Sequence, residues 1–137
     1  MRDHLAIFAP RLLAELLAGR KTVESRLAVD RRLPWGAVAV GDRIWLKQAG
    51  GPVVGVAEAA WVRSFAGLTP AAVGELFQQH PELRATPAYR EAKAHARYAT
   101  LIGLANVRRV EPLAWRGRGR SGWRLLDGPP LLLPPGA

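Results

Sequence analysis

The 137-residue sequence contains no cysteine, which excludes a disulfide framework, a zinc–thiolate site and a cysteine nucleophile. Histidine is also scarce, and no two histidines stand at a metal-ligand spacing. The three histidines are His4, His80 and His95. No local motif typical of a Ser-His-Asp triad is present. We therefore expect no metal site and no cofactor.

Long hydrophobic runs are missing as well. The apolar stretch within the first ten residues, MRDHLAIFAP, is too short for the hydrophobic region of a signal peptide. No run approaches the roughly 18–20 apolar residues that are needed to cross a bilayer. These absences predict a soluble, cytoplasmic protein without a membrane partner.

Acidic residues are few: 11 Asp and Glu stand against 20 Lys and Arg, so the formal net charge is +9. A domain this basic favours polyanionic partners such as RNA, DNA, nucleotides or an anionic surface. Lysine occurs only at Lys21, Lys47 and Lys93, and the other basic residues are arginines. Because a GC-rich genome produces the same bias, composition leaves a neutral origin of the charge open.

Local patterns predict three helices and five strands. Residues 10–18 have one apolar stripe after Pro10 and stop at Gly19, which is typical of a helix. Thr69 and Pro70 open a second helix over 69–80, and a third follows over about 88–95. Strands are predicted over 21–27, 43–47, 53–62, 98–107 and 123–126.

The order of these elements indicates the fold class. Strands and helices do not alternate, which argues against a doubly wound parallel sheet. We predict an α+β fold, in which a small, partly closed β-barrel of short mixed or antiparallel strands has flanking helices. One domain is expected over 1–127. Residues 128–137 contain four prolines and are expected to form an irregular tail.

The segment 21–27, KTVESRL, contains the first candidate site. Glu24 and Arg26 stand at i, i+2 and share one strand face, so we expect them to point into a cleft beside the first helix. Alternation puts Lys21 on the opposite face, unless the strand begins at Thr22 and Lys21 lies at the corner. The alternative for Glu24 and Arg26 is a surface ion pair, worth about 0–1 kcal/mol.

The segment GRKTVESR, followed about fifteen residues later by GDRIWLK, resembles the ASCH domain, a branch of the PUA-like β-barrel superfamily. The resemblance covers most of residues 10–124. The Gly-x-Lys-x-x-Glu-x-Arg pattern and Gly-Asp turn of that family are matched by Gly19, Lys21, Glu24, Arg26, Gly41 and Asp42. The resemblance implies a PUA-like barrel whose cleft binds RNA, a nucleotide or a modified base.

The same resemblance implies an enzymatic alternative. One branch hydrolyses the amide of an acylated cytidine, and ribonuclease activity is ascribed to others. The amidohydrolase branch uses a lysine, a threonine and a distant glutamate. Lys21 matches the lysine, but Glu24 occupies the threonine position, so Lys21 and Glu24 are the catalytic candidates if the protein is an enzyme. A protein-interaction module is a third alternative, and the sequence leaves enzymatic activity open.

An arginine-rich segment near the carboxyl terminus is a second candidate site. Arg116, Arg118 and Arg120 alternate with small residues, so we expect them to reach phosphates. Trp115 and Trp123 flank the segment and could stack on exposed bases. The alternative is a solvated turn, with Trp123 packed in the core as the first residue of a strand.

Three further residues are predicted to lie beside the cleft, namely Arg32, Trp35 and Lys47. Trp35 follows a basic loop and is either a platform for a base or a lid on the barrel. Lys47 precedes the Gly-Gly turn, which we expect to put its ammonium near the cleft mouth. Arg26, Arg32 and Lys47 are expected to hold phosphate, Glu24 to accept a hydrogen bond from a base or ribose, and Trp35 to stack. The sequence predicts neither the ligand's identity nor the oligomeric state.

Overall fold

A mixed β-sheet forms the centre of the molecule. The computed structural model describes residues 1–115, 117 and 121–130. The strands within those ranges are β1 (Asp3–Phe8), β2 (Val23–Ala28), β3 (Arg43–Gln48), β4 (Val53–Phe65), β5 (Tyr98–Leu113) and β6 (Trp123–Leu126). Their order in the sheet is β2-β5-β4-β3-β1-β6. Neighbouring strands are antiparallel except β1 and β3, which are parallel.

Three helices flank the sheet in the described part of the chain. They are α1 (Pro10–Leu17), α2 (Pro70–Gln79) and α3 (Pro87–Ala92), with a 3₁₀ turn at Pro81–Leu83. Each helix begins with proline, whose missing N–H costs no helical hydrogen bond at that position. The Thr69 and Thr86 hydroxyls accept hydrogen bonds from the backbone N–H three residues later, which caps α2 and α3.

Apolar side chains are buried on both faces of the sheet. One cluster fills the inside of the curled sheet, and it includes Phe8, Leu13, Leu16, Ile44, Leu46, Ile102 and Trp123. The second cluster packs the outer face against α2 and the 3₁₀ turn, and it includes Val23, Leu27, Val73, Phe77, Leu83 and Leu101. Burial of each large apolar side chain stabilises the fold by roughly 1.5–3 kcal/mol.

The sheet curls into a half-barrel, so β2 and β6 form its two open edges. This confirms the predicted α+β fold, a small mixed barrel with flanking helices. The helices over 10–18 and 69–80 and the hairpin of β3 and β4 are also confirmed. No helix among the described residues is long and apolar enough to cross a membrane. Residues 131–137 of the predicted tail lie outside the described ranges.

Strand β1 was not predicted, because it is a central strand covered on both faces and has no polar alternation. Its His4 is fully buried, and its Nε2 donates to Asp42 Oδ2 at 2.8 Å. Trp123 Nε1 donates to His4 Nδ1 at 3.1 Å. This chain of hydrogen bonds joins β6 to β1, and β1 to the turn that precedes β3.

Candidate functional site

Arg26 bridges the two open edges of the half-barrel. It lies on β2, and its Nη2 and Nη1 donate to the carbonyl oxygens of Ile7 at 2.9 Å and Gly122 at 3.1 Å. The guanidinium lies 5.0 Å from the ring centre of Phe8 and 5.3 Å from that of Trp123. Arg26 therefore holds β2 beside β1 and the start of β6 where no backbone ladder joins them.

A cleft of about 340 Å³ opens beside this bridge, and we call it the first cleft. Its walls come from the start of α1, from β2 and from the segment 83–93 that contains α3. The first cleft is rich in polar side chains. These are Arg11, Lys21, Glu24, Ser25, Arg26, Arg84, Thr86, Tyr89 and Lys93.

Lys21 lies in the first cleft because β2 begins at Val23. Lys21 is therefore at the corner between α1 and β2, where strand alternation does not apply. Its side chain is 3% exposed, and Nζ donates to the Leu83 carbonyl oxygen at 2.9 Å. Burial lowers the pKa of Lys21 below its ordinary value, the nearby Glu24 carboxylate opposes this shift, and Arg26 adds to it.

Glu24 places a fixed carboxylate between two cations. Its Oε1 accepts a hydrogen bond from the Ser25 backbone N–H at 2.7 Å and lies 3.8 Å from Lys21 Nζ. Its Oε2 lies 3.5 Å from Arg26 Nη2. The three charged residues of the Gly-x-Lys-x-x-Glu-x-Arg segment therefore meet in one place, and Glu24 is only 5% exposed.

Ser25 and Tyr89 add hydroxyl groups to the first cleft. The Tyr89 hydroxyl donates to the Ser25 carbonyl oxygen at 3.2 Å, and the two hydroxyl oxygens are 3.4 Å apart. Burial raises the pKa of Tyr89, and the hydrogen bond with the Ser25 hydroxyl opposes that shift. The sequence indicated that a hydroxyl is missing at position 24, but the neighbouring residue supplies one within the cleft.

A second cleft of about 390 Å³ adjoins the first. Both clefts are lined by Arg26, Leu27 and Lys93, which form the boundary between them. Arg32 and Trp35 line only the second cleft. Arg32 is exposed, and its guanidinium donates two hydrogen bonds to the Asp30 carboxylate, at 2.6 and 2.9 Å.

Trp35 is half-buried in the wall of the second cleft. Its Nε1 donates to the Phe65 carbonyl oxygen at 3.0 Å, and its ring packs edge-on against Tyr98 with centroids 5.3 Å apart. The Arg31 guanidinium lies 5.7 Å from the centre of the indole. These contacts hold Trp35 against the barrel, as the lid interpretation predicted, while the side chain still lines the second cleft.

Crystal structures of ASCH proteins share this architecture. The ASCH protein from Zymomonas mobilis superimposes with a TM-score of 0.72 at 19% sequence identity, and the match covers 92% of this chain and 88% of that chain. A serine-to-alanine variant of the Zymomonas mobilis protein matches with the same TM-score at 20% identity, over 92% of this chain and 89% of that chain. The chain has the ASCH fold. No family model matches it, and no curated protein is significantly similar.

Lys47 does not line either cleft of this ASCH fold. Strand β3 lies between β4 and β1, away from the open edge at β2, and a bulge separates Leu46 from Lys47. The Lys47 side chain is nearly buried, and Nζ donates to the Gln48 carbonyl oxygen at 3.1 Å. The structure therefore corrects the expected position of its ammonium at the cleft mouth.

The carboxyl-terminal candidates divide into two groups. Arg116, Arg118 and Arg120 lie outside the described residues, and their role in binding stays a prediction. Trp123 is 2% exposed and packs in the barrel interior as the first residue of β6. The core interpretation of Trp123 is therefore confirmed, and its buried ring also forms part of the wall of the second cleft.

Several cleft residues of the ASCH fold were missed from the sequence. Arg11 and Arg84 are exposed at the first cleft, and Lys93 lies between the two clefts. In the sequence, Arg11 is indistinguishable from any solvent-exposed residue of a helix. Arg84 and Lys93 belong to a segment more than 50 residues after β2, so no local pattern connects them to the cleft. Only the topology brings them together. Among the described residues, no group of three or more His, Asp or Glu could hold a metal ion.

Proposed function

We propose that this ASCH-fold chain binds single-stranded RNA, or a nucleotide with a modified base, in the first cleft. One observation carries the proposal: five cationic side chains and a single buried carboxylate, that of Glu24, line one concave site. The cations are Arg11, Lys21, Arg26, Arg84 and Lys93. Its volume of about 340 Å³ is in the range of small-ligand sites, which are roughly 300–1,000 Å³.

The depth of the charged groups favours an unpaired base over a duplex. Lys21 and Glu24 are 3% and 5% exposed, so a ligand must insert a group between α1 and α3 to reach them. A base in a helix is stacked and cannot do this, whereas an unstacked base of a single strand can. The Glu24 carboxylate then accepts a hydrogen bond from an exocyclic amine or a ribose hydroxyl.

The exposed cations suit the phosphates of such a ligand. Arg11 and Arg84 lie exposed at the surface of the first cleft, and the Arg84 guanidinium forms only a long ion pair with Glu15, at 3.9 Å, which a phosphate oxygen can replace. Arg26 is already bonded to two carbonyl oxygens. We therefore assign phosphate contacts to Arg11 and Arg84, and assign Arg26 the role of holding Glu24 and the barrel edges in position.

A second candidate function is hydrolysis of an acylated cytidine amide or cleavage of RNA. The observation in its favour is that burial lowers the pKa of Lys21, as a general base near neutral pH requires. However, Nζ is hydrogen-bonded to the Leu83 carbonyl oxygen, an interaction that does not prepare it to accept a proton. The Ser25 hydroxyl is partnered by Tyr89. Binding is therefore the better-supported function.

The test measures binding and turnover in parallel. Fluorescence anisotropy with a labelled single-stranded RNA 12-mer, and competition by nucleotides and acylated cytidine, should reveal saturable binding by the wild type. Glu24→Gln should weaken binding about tenfold, because a hydrogen bond to a charged group contributes about 1.5–3 kcal/mol. Glu75→Gln is the matched control, because Glu75 is exposed on α2 and lines neither cleft.

The same samples distinguish the two functions. Chromatographic analysis of RNA and acylated cytidine after incubation should show no turnover by the wild type. Turnover that is lost in Lys21→Ala would replace the binding proposal by the enzymatic one. Absence of saturable binding to every RNA and nucleotide tested would contradict both.

A further inference from the structure

The second cleft contains an unsatisfied polar group in its lining. Thr100 lies on β5 directly opposite Arg26 of β2, and it is 1% exposed. Within the described part of the chain, its hydroxyl is the only buried side-chain polar atom that has no hydrogen-bond partner. A buried hydroxyl without a partner is destabilising by about 1–3 kcal/mol, so such groups are rare unless something else supplies the partner.

Lys93 occupies the boundary between this cleft and the first one. It is half-buried and lines both clefts, with Nζ 5.9 Å from the ring centre of Tyr89. No described carboxylate forms a salt bridge with it. Lys93 therefore places a cation without a carboxylate partner, among the described residues, at the boundary that the two clefts share.

The charges of the second cleft also favour an anionic strand. The Asp30 carboxylate is neutralised by its two hydrogen bonds to Arg32, and Arg26 and Lys93 border the cleft. Trp35 adds an aromatic wall beside these cations. This combination of cations, an aromatic side chain and a free hydroxyl matches the phosphate, base and sugar of a nucleotide.

We propose that the second cleft is a subsite for the neighbouring nucleotide of the same strand. This inference rests on the proposed function and makes it narrower: the ligand is an oligonucleotide of at least two nucleotides, and not a free nucleotide. One nucleotide lies in the first cleft beside Glu24. The linking phosphate contacts Lys93, and the next nucleotide supplies the missing hydrogen-bond partner of the Thr100 hydroxyl.

The first measurement is the dependence of affinity on length. Mono-, di- and tetranucleotides of RNA with each of the four bases compete against a labelled 12-mer. The second nucleotide should improve affinity about tenfold or more, since it adds a charge contact and a hydrogen bond. The step from two to four nucleotides should be smaller, because no further subsite is filled.

The second measurement uses Thr100→Val, which removes the hydroxyl and keeps the shape of the side chain. The dinucleotide should bind this variant about three- to tenfold more weakly, with mononucleotide affinity unchanged. The melting temperature should stay equal or rise, because the hydroxyl has no partner in the free protein. Lys93→Gln should also reduce the gain from the second nucleotide. Thr22→Val, at an exposed threonine outside both clefts, is the matched control.

The outcomes separate this inference from the proposed function. Equal affinity for mono- and dinucleotides would overturn the subsite while leaving the proposed function intact. A dinucleotide gain that survives in both Thr100→Val and Lys93→Gln would also overturn it, as would a lower melting temperature of Thr100→Val. If no mononucleotide or oligonucleotide binds, the proposed function fails and the subsite with it.

Discussion

Lys21 donates a hydrogen bond from Nζ to the carbonyl oxygen of Leu83, which lies 62 residues later in the chain. The contact connects the corner between α1 and β2 to the 3₁₀ turn that precedes Arg84. Two distant segments therefore form the first cleft together. Because the Lys21 ammonium is buried between these segments, its protonation affects the free energy of unfolding. Unfolding experiments at several pH values can therefore detect this effect.

The Lys21→Met variant should reveal that link. The pKa of Lys21 is lowered by burial, so between that lowered value and the ordinary value of 10.5 the unfolded chain binds more protons than the folded one. The free energy of unfolding of the wild type should therefore rise relative to Lys21→Met as the pH increases through this window. Urea unfolding, followed by tryptophan fluorescence at pH 7, 8, 9 and 10, measures the difference.

Taking the difference between wild type and variant cancels the titration of the groups that the two proteins share. If the difference in unfolding free energy stayed constant between pH 7 and 10, or if the wild type lost stability relative to Lys21→Met, burial would not lower the pKa of Lys21. At pH 7 the two proteins should differ by only about 1 kcal/mol, because loss of the hydrogen bond is offset by removal of a buried charge.

Arg26→Met should destabilise the protein strongly. The variant leaves the carbonyl oxygens of Ile7 and Gly122 without their side-chain donor and removes the guanidinium from the rings of Phe8 and Trp123. We expect a loss of about 2–4 kcal/mol in unfolding free energy. The unfolding free energy of Arg26→Lys should lie between those of the wild type and Arg26→Met, because an ammonium keeps the charge without the planar guanidinium that reaches both oxygens.

A matched control for Arg26 is Arg97→Met, at an exposed arginine that lines neither cleft. It should change the unfolding free energy by no more than about 0.5 kcal/mol. Equal stability of Arg26→Met and the wild type in urea would show that the barrel edges do not depend on the bridge.

Local sequence signals were sufficient for much of the fold. Pro10 and Gly19 mark the ends of α1, Thr69 and Pro70 open α2, and the alternation around Glu24 places its side chain on the same face as that of Arg26. Each of these signals acts within a few residues. Helix caps, turns and strand faces depend on such short-range geometry, so they can be read without knowledge of the tertiary structure.

The features that were missed depend on contacts between distant segments. Strand β1 pairs with β3 and β6, and its burial on both faces removes the alternation that identifies a strand. Tyr89 and Arg84 line the same cleft as Lys21 only because the segment from the 3₁₀ turn to α3 lies beside β2. Lys47 was misplaced because the distance of β3 from the open edge follows from strand order, which alternation does not encode.

Gly103 is a position where any side chain would have to displace the Trp61 indole. A Cβ placed there would overlap with Trp61 Nε1, since the indole lies directly over this glycine of β5. Gly103→Ala should therefore destabilise the protein by about 1–3 kcal/mol, through displacement of the indole. Gly74→Ala is the control: nothing lies within 4 Å of its Cβ, and alanine favours the helix by about 1 kcal/mol.

Thermal unfolding distinguishes the two glycines. The melting temperature of Gly103→Ala should fall, and that of Gly74→Ala should stay equal or rise. A fall in both would mean that Gly74 has a role beyond the helix, and no fall in Gly103→Ala would contradict the close packing of Trp61.

Asp42 should contribute stability that is lost in acid. Burial opposes its ionisation, but hydrogen bonds from the backbone of Ala39 and Arg2 and from His4 lower its pKa below 3.8. Its contribution is therefore complete above pH 3.8 and disappears as the pH falls through the lowered value. Asp42→Asn should cost about 1–3 kcal/mol at pH 7. That cost should shrink at pH 3, whereas Asp127→Asn, at an exposed position, should have little effect at either pH.

The salt dependence of RNA binding tests which arginines contact phosphate. For a single strand, each neutralised phosphate contributes a slope of about 0.7 in the plot of log affinity against log salt. The double variant Arg11→Gln/Arg84→Gln should therefore flatten the slope by about 1.4, if each arginine contacts one phosphate. Arg63→Gln, at an exposed arginine outside both clefts, should leave it unchanged.

The arginine-rich segment is tested in the same titration. Replacing Arg116, Arg118 and Arg120 by alanine should weaken binding of single-stranded RNA and flatten the slope, because counterion release falls with each lost phosphate contact. Anisotropy titrations from about 50 to 200 mM salt cover the range in which this effect is large. An unchanged slope in the triple variant would remove the segment from the interface. A flattened slope in the triple variant, with no change in the Arg11/Arg84 variant, would move the phosphate contacts from the first cleft to this segment.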